Sequence, residues 1–177
     1  MEEIFHDEKE TFSREVILPL LRWLSENGKP LPWRSDPTPY RVWISEIMLQ
    51  QTRTAAVIPY YERFLAELPD LAALAAVDED RLMKLWEGLG YYSRARNLRQ
   101  AALLLAEKYH GVLPQDPAAL RALPGIGAYT AGAIASIAFG LPEPAVDGNV
   151  LRVLMRYYAS DADISLEKTK KQVADFL

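Results

Sequence analysis

Apolar residues recur at spacings of three and four along nearly the whole chain, and strict apolar/polar alternation is scarce. That is the period of helices rather than strands, and it restricts the chain to an all-α fold. One helix is expected over 11–26, apolar at Val16, Leu20 and Leu24, with a kink or restart at Pro19. Pro30, Pro32, Pro37 and Pro39 then read as an extended linker, followed by a helix over 40–52. Asp70 and Asp78 are placed to cap short helices that end near Gly88 and Gly90. Ser93 is expected to cap a helix that runs to Tyr109 and stops at Gly111. Asp116-Pro117 pairs an N-cap with a proline at the first helical position. An alanine-rich helix over 128–139 should close at Gly140, and Asp147 or Asn149 should open the next. No internal repeat and no low-complexity stretch interrupts this series of short helices.

Composition excludes several classes. With 177 residues, half of them hydrophobic, the chain is long enough to bury a core and too apolar to be disordered. No run of 18 apolar residues exists, so no membrane span is expected. The acidic start Met1-Glu2-Glu3 does not resemble a targeting signal, which leads us to expect an intracellular protein. There is no cysteine, hence no thiolate nucleophile, disulfide or thiolate metal site. His6 and His110 are the sole imidazoles, too few for an ordinary zinc enzyme, so no metal ligands are assigned. The 20 Lys+Arg against 24 Asp+Glu argue against binding a polyanion by bulk charge. Locally the balance differs: the stretch 88–106 holds no acid but carries Arg94, Arg96 and Arg99.

Leu123-Pro124-Gly125-Ile126-Gly127 lies between two expected helices. Two glycines around one apolar residue allow a tight turn with positive φ, leaving Ile126 to plug back between the helices. The N–H groups of such a turn and of the next helix start point outward together, backed by the positive end of the helix dipole. That arrangement binds an anion such as a nucleic-acid phosphate without any charged side chain. Taken alone, G-x-G is equally what a plain helix–turn–helix connection shows. The small residues of Ala128-Tyr129-Thr130-Ala131-Gly132-Ala133 add to the functional reading by letting the second helix pack closely.

These residues, with those that follow, carry a resemblance to a known family. The segment 123–133 resembles the helix-hairpin-helix of the DNA glycosylase superfamily that includes endonuclease III and MutY. Val146-Asp147-Gly148-Asn149-Val150 resembles the segment bearing that superfamily's catalytic aspartate. Three stretches are similar to the MutY-type adenine glycosylases in particular: Leu31-Pro32-Trp33-Arg34, Trp43-Ile44-Ser45-Glu46-Ile47-Met48-Leu49-Gln50-Gln51-Thr52, and Gly88-Leu89-Gly90-Tyr91-Tyr92-Ser93-Arg94-Ala95-Arg96-Asn97-Leu98. The likeness runs from about 31 to 156. It implies a six-helix domain over 30–140 and a second helical domain built from 1–29 and 141–177. It also implies a monomer acting on double-stranded DNA with adenine opposite 8-oxoguanine or guanine.

Glu46 falls in a segment that is apolar nearly all round, with Val42, Trp43, Leu49 and Gln50 three and four residues away. Burial of that kind raises a carboxyl pKa and keeps a proton available near neutrality. On an ordinary amphipathic helix such a glutamate would sit in water; in MutY-like enzymes the matching one is the general acid that protonates the adenine. Asp147 is an expected N-cap, where the helix dipole favours a negative charge. The resemblance makes it the carboxylate that faces the cationic sugar formed as the N-glycosidic bond breaks. Asn149 and Tyr129, by the same likeness, hydrogen-bond within the site. Relatives that also cut the DNA backbone carry a lysine where Tyr129 stands, and a phenol cannot form an imine. Hydrolysis by water, leaving an abasic site in an intact strand, is therefore the expected reaction.

A base in a duplex must be flipped out before it can be cut, and the gap must be filled. The resemblance places residues matching Gln51, Leu89 and Tyr91 at the lesion, with Leu31, Trp33 and Arg34 nearby. The amides of Gln50 and Gln51 suit base edges, Tyr91 suits a wedge between stacked bases, and Arg94 suits a phosphate. Read without the likeness, the same residues are a solvated helix end, packed aromatics and a charged face.

MutY-like enzymes carry a four-cysteine 4Fe–4S cluster after the catalytic aspartate, and the present chain holds no cysteine to bind one. Its uncapped ending, Val173-Ala174-Asp175-Phe176-Leu177, reads as a mid-helix stretch and leads us to expect truncation before the cluster region, with apolar surface left exposed in the second domain. Two competitors stand beside the adenine glycosylase: a mismatch glycosylase for another base such as thymine, and a non-catalytic DNA-binding helix-hairpin-helix fragment.

Overall fold

The computed structural model describes residues 9–177; Met1-Glu2-Glu3 and His6 lie outside the described residues. All regular structure among the described residues is helical, and no helix is long and apolar enough to cross a membrane. The chain divides into two compact units, Leu31–Ala145 and the discontinuous Met1–Pro30 with Val146–Leu177.

The larger unit begins with α3 (Pro32–Ser35), preceded by α1 (Lys9–Phe12) and α2 (Leu18–Asn27) of the other unit. The expected extended linker is therefore interrupted. Pro32 and Pro39 do not block helix but start it, because a φ near −65° and a missing N–H cost nothing in a first turn. α4 (Pro39–Leu49) is capped by Thr38, whose hydroxyl accepts the N–H of Arg41 at 3.3 Å. α5 (Thr54–Glu67), α6 (Leu71–Ala76) and α7 (Glu79–Trp86) follow; Asp70 and Asp78 cap the last two through N–H···O bonds of 2.8 Å each. α8 (Ser93–Lys108) differs from expectation at its start: Tyr92 occupies the cap position without a side-chain bond, and Ser93 is already helical. α9 (Pro117–Arg121), capped by Asp116, and α10 (Ala128–Phe139), closed by Gly140 at φ +67°, complete the unit.

Trp43, Ile44, Met48, Phe64, Leu74, Leu82, Trp86, Leu105, Leu120 and Ile134 are fully buried in this core. Each large apolar side chain removed from water stabilises by about 1.5–3 kcal/mol. α10 packs on α4, and its Ala131, Gly132, Ala133 and Ala135 are all buried. A Cβ at Gly132 would collide with the carbonyl oxygen of Pro144. That close approach draws 141–145 into the larger unit, whereas the sequence had suggested a boundary at 140.

In the other unit, helical structure is continuous from Lys9 to Asn27, with a π-helical stretch at Ser13–Ile17 just before Pro19. Proline cannot donate to the preceding turn, and a wider turn accommodates that loss. Phe12 packs with Leu151, Leu154 and Met155 of α11 (Gly148–Tyr157) and with Val173 and Phe176 of α12 (Glu167–Phe176). Nothing in α2 is buried: Leu18, Leu20, Leu21, Trp23 and Leu24 are all exposed.

Candidate active site

α4 places Glu46 on the wall of a cavity of about 420 Å³, within the larger unit. Trp43, Ile44, Ile47 and Met48 bury the rest of that helix and fix its rotation, so Glu46 is turned to the cavity and is half-buried rather than sealed. Val42 and Leu49 supply apolar wall, while Arg34, Ser45, Thr54 and Tyr129 make the rest of the lining partly polar. Tyr129 reaches the same cavity from the first turn of α10. Leu31, Trp33 and Arg34 line it too. Trp33 is buried and meets the Tyr61 ring edge-on at 5.4 Å, which makes it a rigid wall. Thr54, at the start of α5, and Ser45 belong to the lining as well; neither carries a sequence signal of its own, and only the packing of helices brings them there.

Asp147 belongs to the other unit and holds a cluster of its own. As N-cap of α11 it accepts the N–H groups of Asn149 and Val150 on Oδ1, both at 2.9 Å. Asn149 donates its side-chain amide to Oδ2 at 2.7 Å, and Arg152 donates to Asn149 Oδ1 at 3.0 Å. The carboxylate is thus oriented by three donors. The choice left open between Asp147 and Asn149 as helix opener falls to Asp147.

The hairpin between α9 and α10 has the expected plug, Ile126, 5% exposed, with its N–H bonded to the Leu123 carbonyl at 3.2 Å. Of the two glycines only Gly125 adopts positive φ, +78°, and a Cβ there would press on Asn97 of α8 at 2.9 Å. Gly127 is extended, with φ −87° and ψ −179°, so conformation does not require glycine there. It caps α10 without any side-chain bond, is exposed, and has open space where a Cβ would stand. A helix start of this kind, with N–H groups outside the intrahelical ladder, suits an anion.

Two further tips lie at loop ends of the larger unit. Gln51, just past α4, is exposed at φ +56°; Tyr91, just before α8, is 61% exposed at φ +48°. Gln50 is half-buried. Two expected contact residues are placed otherwise. Leu89 is 7% exposed and packed in the core, since its loop closes onto Trp86 rather than projecting it. Arg94, also 7% exposed, is turned inward with its guanidinium donating to backbone carbonyls and the Thr52 hydroxyl, so it has no face for a phosphate. Arg96 pairs with Glu79 and Arg99 donates to the Val77 carbonyl, so the basic run is not an open track either.

An iron–sulfur cluster has no ligands in these residues: the sequence has no cysteine, and the described residues contain no group of three or more His, Cys, Asp or Glu side chains that could hold a metal ion.

Comparison with known proteins places the chain. Residues 44–177 match the family model described as HhH-GPD superfamily base excision DNA repair protein. An adenine DNA glycosylase of Buchnera aphidicola (subsp. Baizongia pistaciae) is 48% identical over 141 residues, which cover 79% of this chain and 40% of that protein. The present chain thus spans less than half of that curated relative. A solved thermostable thymine-DNA glycosylase superposes with a TM-score of 0.84 over 96% of this chain and 80% of its own, at 24% identity, a likeness of fold alone. An endonuclease III trapped as a covalent intermediate with DNA gives a TM-score of 0.78 at 26% identity, over 96% and 78%. With a helical fold shared with these enzymes and a family match over most of its length, the chain belongs to the HhH-GPD superfamily of base excision DNA repair proteins.

Proposed function

We propose that this chain performs the excision step of an adenine DNA glycosylase on double-stranded DNA, at adenine opposite 8-oxoguanine or guanine. The observation that supports the reading most is the cavity in which Glu46 and Tyr129 meet Trp33 and Arg34. Its volume lies in the range of small-ligand sites and accommodates a flipped purine. Glu46 donates its proton to the base, which leaves neutral as the N-glycosidic bond breaks. The sugar becomes cationic, and the Asp147 carboxylate, held by Asn149, stabilises it. Water adds its oxygen to the anomeric carbon and releases a proton. Tyr129 offers no amine to trap the sugar, so the product is an abasic site in an unbroken strand. The anion-suited start of α10 holds the backbone, while Gln51 and Tyr91 occupy the gap.

Single-turnover processing of a labelled duplex with adenine opposite 8-oxoguanine, developed with and without alkali, tests this. Breakage confined to alkali-treated samples and lost in Glu46→Gln is the expected result; a general acid contributes about 10²–10⁴-fold. Breakage without alkali would overturn the assignment of a purely hydrolytic reaction. Release of thymine from a parallel G·T duplex would give the site to the other base, and binding without excision would leave a DNA-binding fragment.

A further inference from the structure

A guanidinium is seldom buried unless most of its donors are satisfied, and Arg94 is buried with both terminal nitrogens engaged, while its Nε–H has no hydrogen-bond partner. Nη1 donates to the carbonyls of Ile47 and Met48 in the last turn of α4 and of Gln50 just after it, at 2.9, 3.0 and 2.6 Å. Nη2 donates to the carbonyls of Leu89 and Gly90 at 3.2 and 3.1 Å and to the Thr52 hydroxyl at 3.3 Å. The rings of Trp86 and Tyr91 flank the guanidinium carbon at 5.3 and 5.6 Å. One side chain therefore ties two loops that are about 40 residues apart in sequence, as the planar fork of arginine allows and a lysine ammonium does not.

The anchor points bracket two exposed residues in strained conformations. Gln50 and Thr52 stand on either side of Gln51, and Gly90 together with the Tyr91 ring defines the other tip. Gln51 and Tyr91 both have positive φ, which residues bearing a Cβ hold only where their surroundings impose it. Glu46 has supports besides Arg94: Thr38 caps the start of its helix, and the buried Trp43, Ile44 and Met48 set its rotation, so the Arg94 bonds to the Ile47 and Met48 carbonyls are one hold among several.

We propose that Arg94 is a positioning residue that clamps the Gln51 tip to the Tyr91 tip, so that the two enter the base stack as one rigid device and extrusion of the base depends on it. The proposal rests on the adenine-glycosylase reading above. It moves Arg94 from a phosphate contact to the part that makes two weak probes act together.

The test uses the full chain with Arg94→Lys, which keeps the charge and loses the bridge. Extrusion is read by fluorescence of 2-aminopurine at the target position opposite guanine. Excision is read by single-turnover rates on A·G duplex and on adenine opposite an abasic-site analogue, where extrusion is easy. The expected result is a tenfold or greater loss in the A·G rate and in the fluorescence rise, with less than a twofold loss opposite the abasic analogue. Tyr91→Ala should lose as much alone and add nothing to Arg94→Lys. Equal losses on both substrates, no loss on either, or losses that multiply would each overturn the proposal. Should Arg94→Lys fail to fold, Thr52→Val removes one anchor and should show the same selective loss, about threefold; loss on neither substrate or equally on both overturns it. Wild-type chain that raises the fluorescence but excises nothing would overturn the adenine reading while the fluorescence arm still decides for Arg94. Neither signal would overturn both.

Discussion

Asn149 donates its side-chain amide to Oδ2 of Asp147 at 2.7 Å while its backbone N–H donates to Oδ1 at 2.9 Å. One residue thereby holds both oxygens of the carboxylate, and the helix start supplies a third donor from Val150. Capping and charge can be separated here, because asparagine caps a helix about as well as aspartate. Asp147→Asn is expected to keep the thermal midpoint within a few degrees while lowering single-turnover excision by roughly 10²–10³-fold, the scale of losing one charge-stabilising group. Asp147→Ala should lose both, with about 1 kcal/mol of stability gone in denaturant titration.

Tyr129 and Glu46 line one cavity, so a group placed at 129 shares the space with Glu46. The wild-type chain should give no DNA adduct on borohydride reduction. Tyr129→Lys puts an amine there, and a reducible imine should then be trapped as a band of increased mass on a denaturing gel. An adduct with the wild-type chain would refute the hydrolytic assignment.

Two glycines of the same region should behave in opposite ways. Gly132→Ala drives a Cβ into the Pro144 carbonyl and should destabilise by about 1–3 kcal/mol. Gly127→Ala meets nothing and needs no unusual φ, so folding should change by less than about 1 kcal/mol. If the start of α10 takes a phosphate, the new methyl stands in its way, and DNA affinity measured by anisotropy should fall about tenfold, about 1.4 kcal/mol.

Tyr61 is buried with a hydroxyl that finds no partner, and burial pushes its pKa up to about 12, with smaller opposing effects from Arg41 and Asp36. The raised value means the folded state holds the proton more tightly than the unfolded one. Its contribution is therefore complete below about pH 10 and is lost as pH rises from 10 towards 12. Tyr61→Phe removes an unpaired polar group and should stabilise by about 1 kcal/mol at neutral pH, since a buried unsatisfied hydroxyl costs about that much. Chemical denaturation across pH 8–12 should show the advantage of the variant widening above pH 10.

The helical order of the chain was readable from periodicity and caps: Asp70, Asp78, Asp116 and Asp147 each accept the N–H groups their positions called for. These are local effects, set by residues within one turn of each other, and local chemistry is what a sequence displays. The mostly buried helix around Glu46 was legible for the same reason, because its apolar neighbours lie on that helix. Arg94 and Leu89 were not. Both sit in a motif whose residue types suit a surface role, and only contacts made across long stretches of sequence turn them inward: Arg94 to carbonyls 44 to 47 residues away, Leu89 into a core built from many helices. The cavity is of the same kind, its walls drawn from 31–34, α4, Thr54 and α10. Periodicity and capping determine which segments are helices. Where each face points is decided by which apolar stripes find one another, and that competition is settled only when the whole unit packs.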